Sequence, residues 1–398
     1  MKNPSISKVA VKVWLLCLLP LVAASCEKVP VPEPEETPSV SLEELAGIFS
    51  NLKLRPEHLD EVHSAVSSSM ENGYDEEYTM SDLFRSPGSG VGSSESETKA
   101  SVESWPAPVR DLLSDYLREH FSLTKAGGPY GNADDYIAAL AASDVQIYWP
   151  YSEEWDGESY PVITFNPGSD IQANIGYQMS EDGAVKEVVV NERKAMDGNV
   201  WVINRNEDSS YMTLEMLRRR DPDWGRGGDI VIRPTAETKA SGTRTLLLKS
   251  FEARRNFDSW FAGASEFFVK CGAVEDFQAS TEAEMKLYSS EVTDFMVVVK
   301  RRQVGAPIPF NAVLVSEWTD QLDQFAFMIT EDDGGTRTTW KTSAIVKIQS
   351  KSYGFDIEIP FHSHDDIVWR GKLSRNYLEK NSGEEGHFGD VYLTFGFD

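Results

Sequence analysis

The spacing of apolar residues changes character about a third of the way along the chain. Before residue 144 the period is helical. Ser41 followed by Glu44 is a capping-box pattern that opens an apolar-periodic segment through Phe49. A second helix is expected from Pro56, with Leu59, Val62 and Val66 on one face. Two more are expected at Pro108 to Phe121 (Val109, Leu112, Leu113, Tyr116, Leu117) and at Ala133 to Ala142. Between these pairs, residues 86–104 are rich in glycine, serine and glutamate, the composition of a flexible loop. Residues 41–143 are therefore expected to form a helical region.

From Val145 the pattern shortens to β-type runs: 145–149, 160–165, 173–177, 185–190 and 200–203. Asn166-Pro167-Gly168, Glu181-Asp182-Gly183 and Asp197-Gly198-Asn199 punctuate them as turns. Tyr211 to Arg220 reads as one more helix, and residues 221–243, with Pro222, Pro234 and several glycines, as a junction. Residues 144–243 thus form a β-rich module. Beyond it, strands are expected at 245–249, 266–271, 295–300, 311–315, 324–330, 344–348, 353–359, 367–371 and 391–397. Many short strands with turns between them in residues 244–398 predict an antiparallel β-sandwich. The expected fold class is multidomain α+β.

Composition adds that the 398 residues are 40% hydrophobic and 11% aromatic, enough to build real cores. The formal charge of −26 argues against nucleic acid or an anionic bilayer as a partner held by bulk electrostatics. Divalent cations or a cationic partner suit it better. The amino terminus carries Lys2, Lys8 and Lys12, an apolar run from Val13 to Val22 and the small residues Ala23, Ala24 and Ser25 before Cys26. That is the layout of a secretory signal over residues 1–25, its apolar run too short for an ordinary bilayer-spanning helix. Its end resembles the lipobox of bacterial lipoproteins, which implies lipidation of Cys26 and anchoring to the outer membrane. An ordinary secreted protein with an incidental Cys26 thiol is the other reading. The proline- and glutamate-rich residues 26–40 then form an extended acidic tether, and they resemble the surface-export signals of lipoproteins in the Bacteroidota. Of the three cysteines, Cys17 leaves with the signal and Cys271 has no intrachain partner, so no disulfide framework is expected.

Three sets of residues are candidates for binding or chemistry. Leu246 to Ala253, Ser265 to Lys270 and Phe325 to Gly335 resemble stretches of the calcium-dependent phospholipid-binding domains of protein kinase C and synaptotagmin. The resemblance implies a calcium site with Asp258 in one loop and Glu331, Asp332 and Asp333 in another; clustered carboxylates suit calcium, which takes six to eight oxygen ligands. The usual aspartate-proline pair is Glu266-Phe267 here, and Glu331 to Gly335 reads equally as a hairpin turn. His362, His364 and Asp365 form the second set: histidines two apart on a strand share a face and can share zinc, with Asp365 or Asp366 orienting one of them. A loop of solvated histidines is the plainer alternative. The third set is Trp149, Tyr151 and Trp155, aromatic rings beside carboxylates as used at glycan-binding surfaces and protein hot spots. Alternatively Tyr148 and Trp149 end a core strand and Trp155 caps it. The stretch from there to Asn204 resembles an uncharacterised family of bacterial lipoproteins. Without HExxH, GxSxG or phosphate-loop signatures, the sequence favours a non-catalytic module for a protein or glycan, with a metal-dependent hydrolase at His362 and His364 as the alternative.

Overall fold

Ser41 accepts a hydrogen bond from the backbone N–H of Glu44 at 3.3 Å and so starts helix α1 (Leu42–Ser50), whose Leu45, Ala46, Ile48 and Phe49 are buried. The computed structural model describes residues 39–85, 108–121, 130–168, 171–179, 184–206, 211–220 and 243–398. The expected signal, Cys26 and the tether up to residue 38, the loop at 86–104 and residues 221–242 of the expected junction lie outside the described residues. Pro56 occupies the first turn of α2 (Pro56–Glu71), where its missing N–H costs nothing. A three-residue strand β1 (Glu77–Thr79) follows, then α3 (Met80–Leu83), α4 (Pro108–His120) and α5 (Ala133–Ala141). The chain continues through β2 (Val145–Tyr148), β3 (Val162–Phe165), β4 (Ala173–Met179), β5 (Val185–Asn191), α6 (Glu192–Asp197), β6 (Val200–Arg205) and α7 (Leu214–Arg220).

These elements build one six-stranded sheet in the order β1-β2-β6-β3-β4-β5. Its pairings are antiparallel except β3 with β6. The strand β1 comes from the stretch expected to be helical and pairs Glu77, Tyr78 and Thr79 with Tyr148, Ile147 and Gln146. Helical region and central strands consequently share a core that includes Leu45, Phe49, Val62, Leu113, Ile147 and Trp201.

The remaining strands are β7 (Arg244–Ala253), β8 (Ser265–Ala273), β9 (Glu291–Val299), β10 (Ile308–Trp318), β11 (Leu322–Glu331), β12 (Arg337–Ile348), β13 (Lys351–His362), β14 (Asp366–Ser374), β15 (Glu385–Phe388) and β16 (Val391–Phe397), with α8 (Arg375–Lys380) before β15. They make a four-stranded sheet, β10-β7-β16-β15, and a six-stranded one, β13-β12-β11-β8-β9, with β14 paired to β11. Both sheets supply one hydrophobic cluster, Phe251 and Phe395 from the first and Phe267, Phe325, Phe327 and Ile329 from the second. The fold is thus mixed α and β, with eight helices and three sheets among the described residues and most strands in the carboxy-terminal half. Residues Ser39–Asp398 form one compact unit. No helix among the described residues is long and apolar enough to cross a membrane.

One buried carboxylate in this core makes stability depend on pH. Glu61 of α2 accepts from the Tyr78 hydroxyl at 3.0 Å and from the Val109 N–H at 2.7 Å, at the start of α4. Burial nonetheless pushes its carboxyl up to about 7. Because the folded state holds this proton more tightly than the unfolded state, the stabilisation is complete below about pH 4.5 and is lost as pH rises to about 7, by roughly 3 kcal/mol. In Glu61→Gln the amide oxygen accepts from Val109 while the amide donates to Tyr78. The expected result is a denaturant midpoint that no longer falls over this window; an unchanged fall would assign it to other groups.

Candidate functional site

The first candidate is a groove built around the turn that follows β2. Trp149 leaves the strand with its N–H donating to the Glu76 carbonyl at 2.8 Å, and its ring is 1% exposed, packed 5.5 Å from Trp201. Tyr151 takes φ 61° and ψ 31°, the left-handed region where a side chain is strained. Two bonds hold it there. Its N–H donates to Glu76 Oε1 at 3.2 Å and its hydroxyl to Glu192 Oε1 at 3.1 Å; burial and the Glu192 carboxylate push the phenol up to about 12. A single 3-10 turn (Ser152–Glu154) then presents Trp155, whose Nε1–H donates to the Ser159 carbonyl at 3.0 Å and whose ring lies 5.1 Å from His63 and 5.3 Å from Trp149. Asp156 Oδ1 accepts from the N–H groups of Glu158 and Ser159 at 2.9 and 2.7 Å, closing the turn.

The cavity in front of these residues has a volume of about 270 Å³. Tyr151, Trp155 and the exposed Tyr160 form one side, and Gln178, Lys194 and Asn199 approach from β4, α6 and the turn before β6. Asn199 donates to the Ser159 carbonyl at 2.8 Å, while its Oδ1 is buried with no hydrogen-bond partner. Of the three aromatics expected from sequence, Tyr151 and Trp155 line the groove as accessible rings. Trp149 instead backs it from the core, because β2 delivers it to the helix-facing side of the sheet. Asn199 was missed: as part of an Asp-Gly-Asn turn it carries no local sign of facing a cavity.

The second candidate is acidic and divides the residues expected to bind calcium. Asp258, Glu266 and Glu331 bring carboxylate oxygens within 4.8 Å of one another, and so, in a separate cluster, do ligand atoms of Asp332, His362 and Asp365. Asp258, Asp332 and Asp333 therefore do not form one set. Glu331 ends β11 and Asp332 is the first residue beyond it, and the two side chains join different clusters. Asp333 is exposed in a turn whose Gly334 and Gly335 have φ of 69° and 100°. Burial and the neighbouring Asp258 push the Glu331 carboxyl up to about 11, and burial pushes Asp258 up to about 6.

The histidines separate as well. The strand β13 ends at His362, so His364 lies in the following turn, exposed, its N–H donating to the Gly334 carbonyl at 3.2 Å. The strand face that would have paired the two rings does not reach it. His362 keeps Asp365, whose Oδ2 accepts the His362 N–H at 2.8 Å, and gains Asp332 Oδ1 at 3.3 Å from Nδ1 and the Tyr211 hydroxyl at 3.2 Å. Burial and the adjacent Asp332 push Asp365 up to about 6. Neither Glu266 nor Tyr211 was legible as a site residue, since each reads alone as strand or helix-start. No protein-family model, no curated protein and no solved structure matches this chain.

Proposed function

We propose that this chain is an exported lipoprotein, acylated at Cys26 and anchored to the outer membrane, whose folded part binds a glycan without transforming it. Its two carboxy-terminal sheets, which face one core, are read here as a β-sandwich that carries the amino-terminal binding module. The observation that supports the glycan reading is the groove: Trp155, Tyr151 and Tyr160 beside an unpartnered Asn199 Oδ1. Aromatic faces suit the C–H side of a pyranose, and a buried acceptor with no donor suits a sugar hydroxyl. Glu154 and Asp156 line the same cavity and add further acceptors.

The test is a glycan array followed by calorimetry on the binders it returns. Trp155→Ala is expected to weaken binding about 30-fold, the size of a hot-spot aromatic. Tyr151→Gly is the sharper variant, because glycine tolerates φ 61° and so removes the ring while relieving the backbone. A blank array, or binding in both variants as tight as in the unmutated chain, would sink the glycan reading and leave a protein partner. Mass spectrometry of the membrane-extracted chain tests the anchor: an unmodified Cys26 removes it.

The cluster of Asp332, His362 and Asp365 supports a second reading, a metal-dependent hydrolase, with His362 rather than the pair His362 and His364 at its centre. Stoichiometric zinc in the purified protein, lost in His362→Ala and kept in His364→Ala, is the outcome it requires.

A further inference from the structure

Asp75, Asp258, Glu266 and Glu331 meet where the amino-terminal sheet abuts the carboxy-terminal strands. Asp75 precedes β1, Glu266 sits on β8, Glu331 ends β11 and Asp258 lies in the loop between β7 and β8. Asp75 Oδ2 accepts the Ala264 N–H at 2.7 Å, tying the two halves together, whereas Asp75 Oδ1 is buried and has no partner. Glu331 is 0% exposed and meets no N–H or hydroxyl donor, its polar partner being the neighbouring Asp258 carboxyl; Asp258 Oδ2 likewise meets no such donor. All these orphaned atoms are acceptors. A buried acceptor without a donor is costly, and three carboxylates within 4.8 Å of one another add mutual repulsion.

Of the nearby cationic side chains, Lys300 lies close enough to Asp75 and Glu76 to favour their charged forms, and the hydrogen bonds of the arginines go elsewhere. Arg301 donates to Glu192 Oε1 at 2.5 Å and to the backbone carbonyls of Asp258 and Gly263 at 3.3 and 3.2 Å, and Arg205 to Asp144 and the Val40 carbonyl. Among the described residues no lysine or arginine donates to the carboxylates of Asp75, Asp258, Glu266 or Glu331. Asp75, Asp258 and Glu266 line a cavity of about 10 Å³ together with Glu77, Gln146 and Arg205, the space of a single small occupant, and Glu331 adjoins it through Asp258 and Glu266. We propose that this junction is a calcium site in which Asp258, Glu266 and Glu331 supply the carboxylate ligands and Asp75 adds a fourth from the cavity beside them. The donors are hard oxygens without nitrogen or sulfur, which disfavours zinc, and they come from four separate segments, an irregular set that calcium accepts more readily than magnesium. Such a site is a buried bridge between the two halves, unlike a loop-tip arrangement through Asp332 and Asp333. It stands apart from the groove, and either can fail without the other.

The full chain, stripped with a chelator, is titrated with calcium chloride by calorimetry and melted with and without the ion. One calcium per chain is expected, with a melting temperature about 4 °C higher at a free calcium concentration 100 times Kd. Glu331→Gln and Asp258→Asn should each weaken uptake more than about 10-fold, while Asp333→Asn leaves it unchanged. If Glu331→Gln does not fold, the half-buried Asp258→Asn carries the comparison. A stripped protein that takes up no calcium and melts at the same temperature in its presence would show that the carboxyls share protons instead, and would overturn the proposal. Calcium bound equally well by Asp258→Asn, or lost in Asp333→Asn, would overturn its location.

Discussion

Replacing Phe327 by alanine is expected to lower the unfolding free energy by about 4 kcal/mol. The ring is fully buried on β11 and lies within 5.5 Å of Phe395 on β16, 6.0 Å of Trp369 on β14 and 6.3 Å of Phe388 on β15. It therefore reaches from one sheet to the other, and its neighbours are large rings held by their own strands. Such surroundings collapse poorly into a vacated volume, so the cost should fall in the upper part of the usual range rather than the lower. Urea unfolding should show a lower midpoint with an unchanged slope. A loss below about 1 kcal/mol would mean that the two sheets are not joined through this cluster.

Truncating Asp294 to alanine should cost about 3 kcal/mol for a different reason. Its partner Lys270 sits directly across the β8–β9 pair, 4% exposed, with Nζ 3.0 Å from Asp294 Oδ2 and 4.9 Å from the Phe268 ring. Without Asp294 the lysine loses its carboxylate partner beside the Phe268 ring. Lys270 is buried while Asp294 is exposed, so truncating Asp294 leaves a buried ammonium without its acceptor, whereas removing both sides is nearly neutral. The double variant Lys270→Met with Asp294→Ala is thus expected to recover most of the loss. A double variant as weak as Asp294→Ala would place the cost in packing, and a double-mutant cycle reads that difference directly.

Local signals were legible wherever a residue's partner lies within a turn or two along the chain. The Ser41–Glu44 cap, Pro56 at the start of α2 and the runs that became β7 to β14 and β16 belong to this class, although the strands extend further than their most apolar parts suggest. What could not be read depends on distant partners. Strand β1 is three residues, Glu77-Tyr78-Thr79, with no period to detect, and exists because β2 offers an edge. The parallel pairing of β3 with β6 is likewise invisible locally. The candidate sites follow the same division. Tyr151 and Trp155 sit on one turn and were found together, whereas Asp75 and Glu266 meet from opposite halves of the fold. The run Asp75-Glu76-Glu77 has the composition of a solvated acidic stretch, yet all three residues are buried.

The one cysteine among the described residues offers a way to time the opening of this core. Cys271 lies on β8 between β9 and β11, is 1% exposed, and burial pushes its thiol well above the ordinary range. In a chain carrying Cys17→Ser and Cys26→Ser it is the sole thiol, so a disulfide reagent can react only when β8 parts from its neighbours. The labelling rate across denaturant then measures the free energy of that excursion. If β8 detaches alone, the rate will exceed that expected from global unfolding; if the two rates coincide, the central strand opens only with the whole molecule.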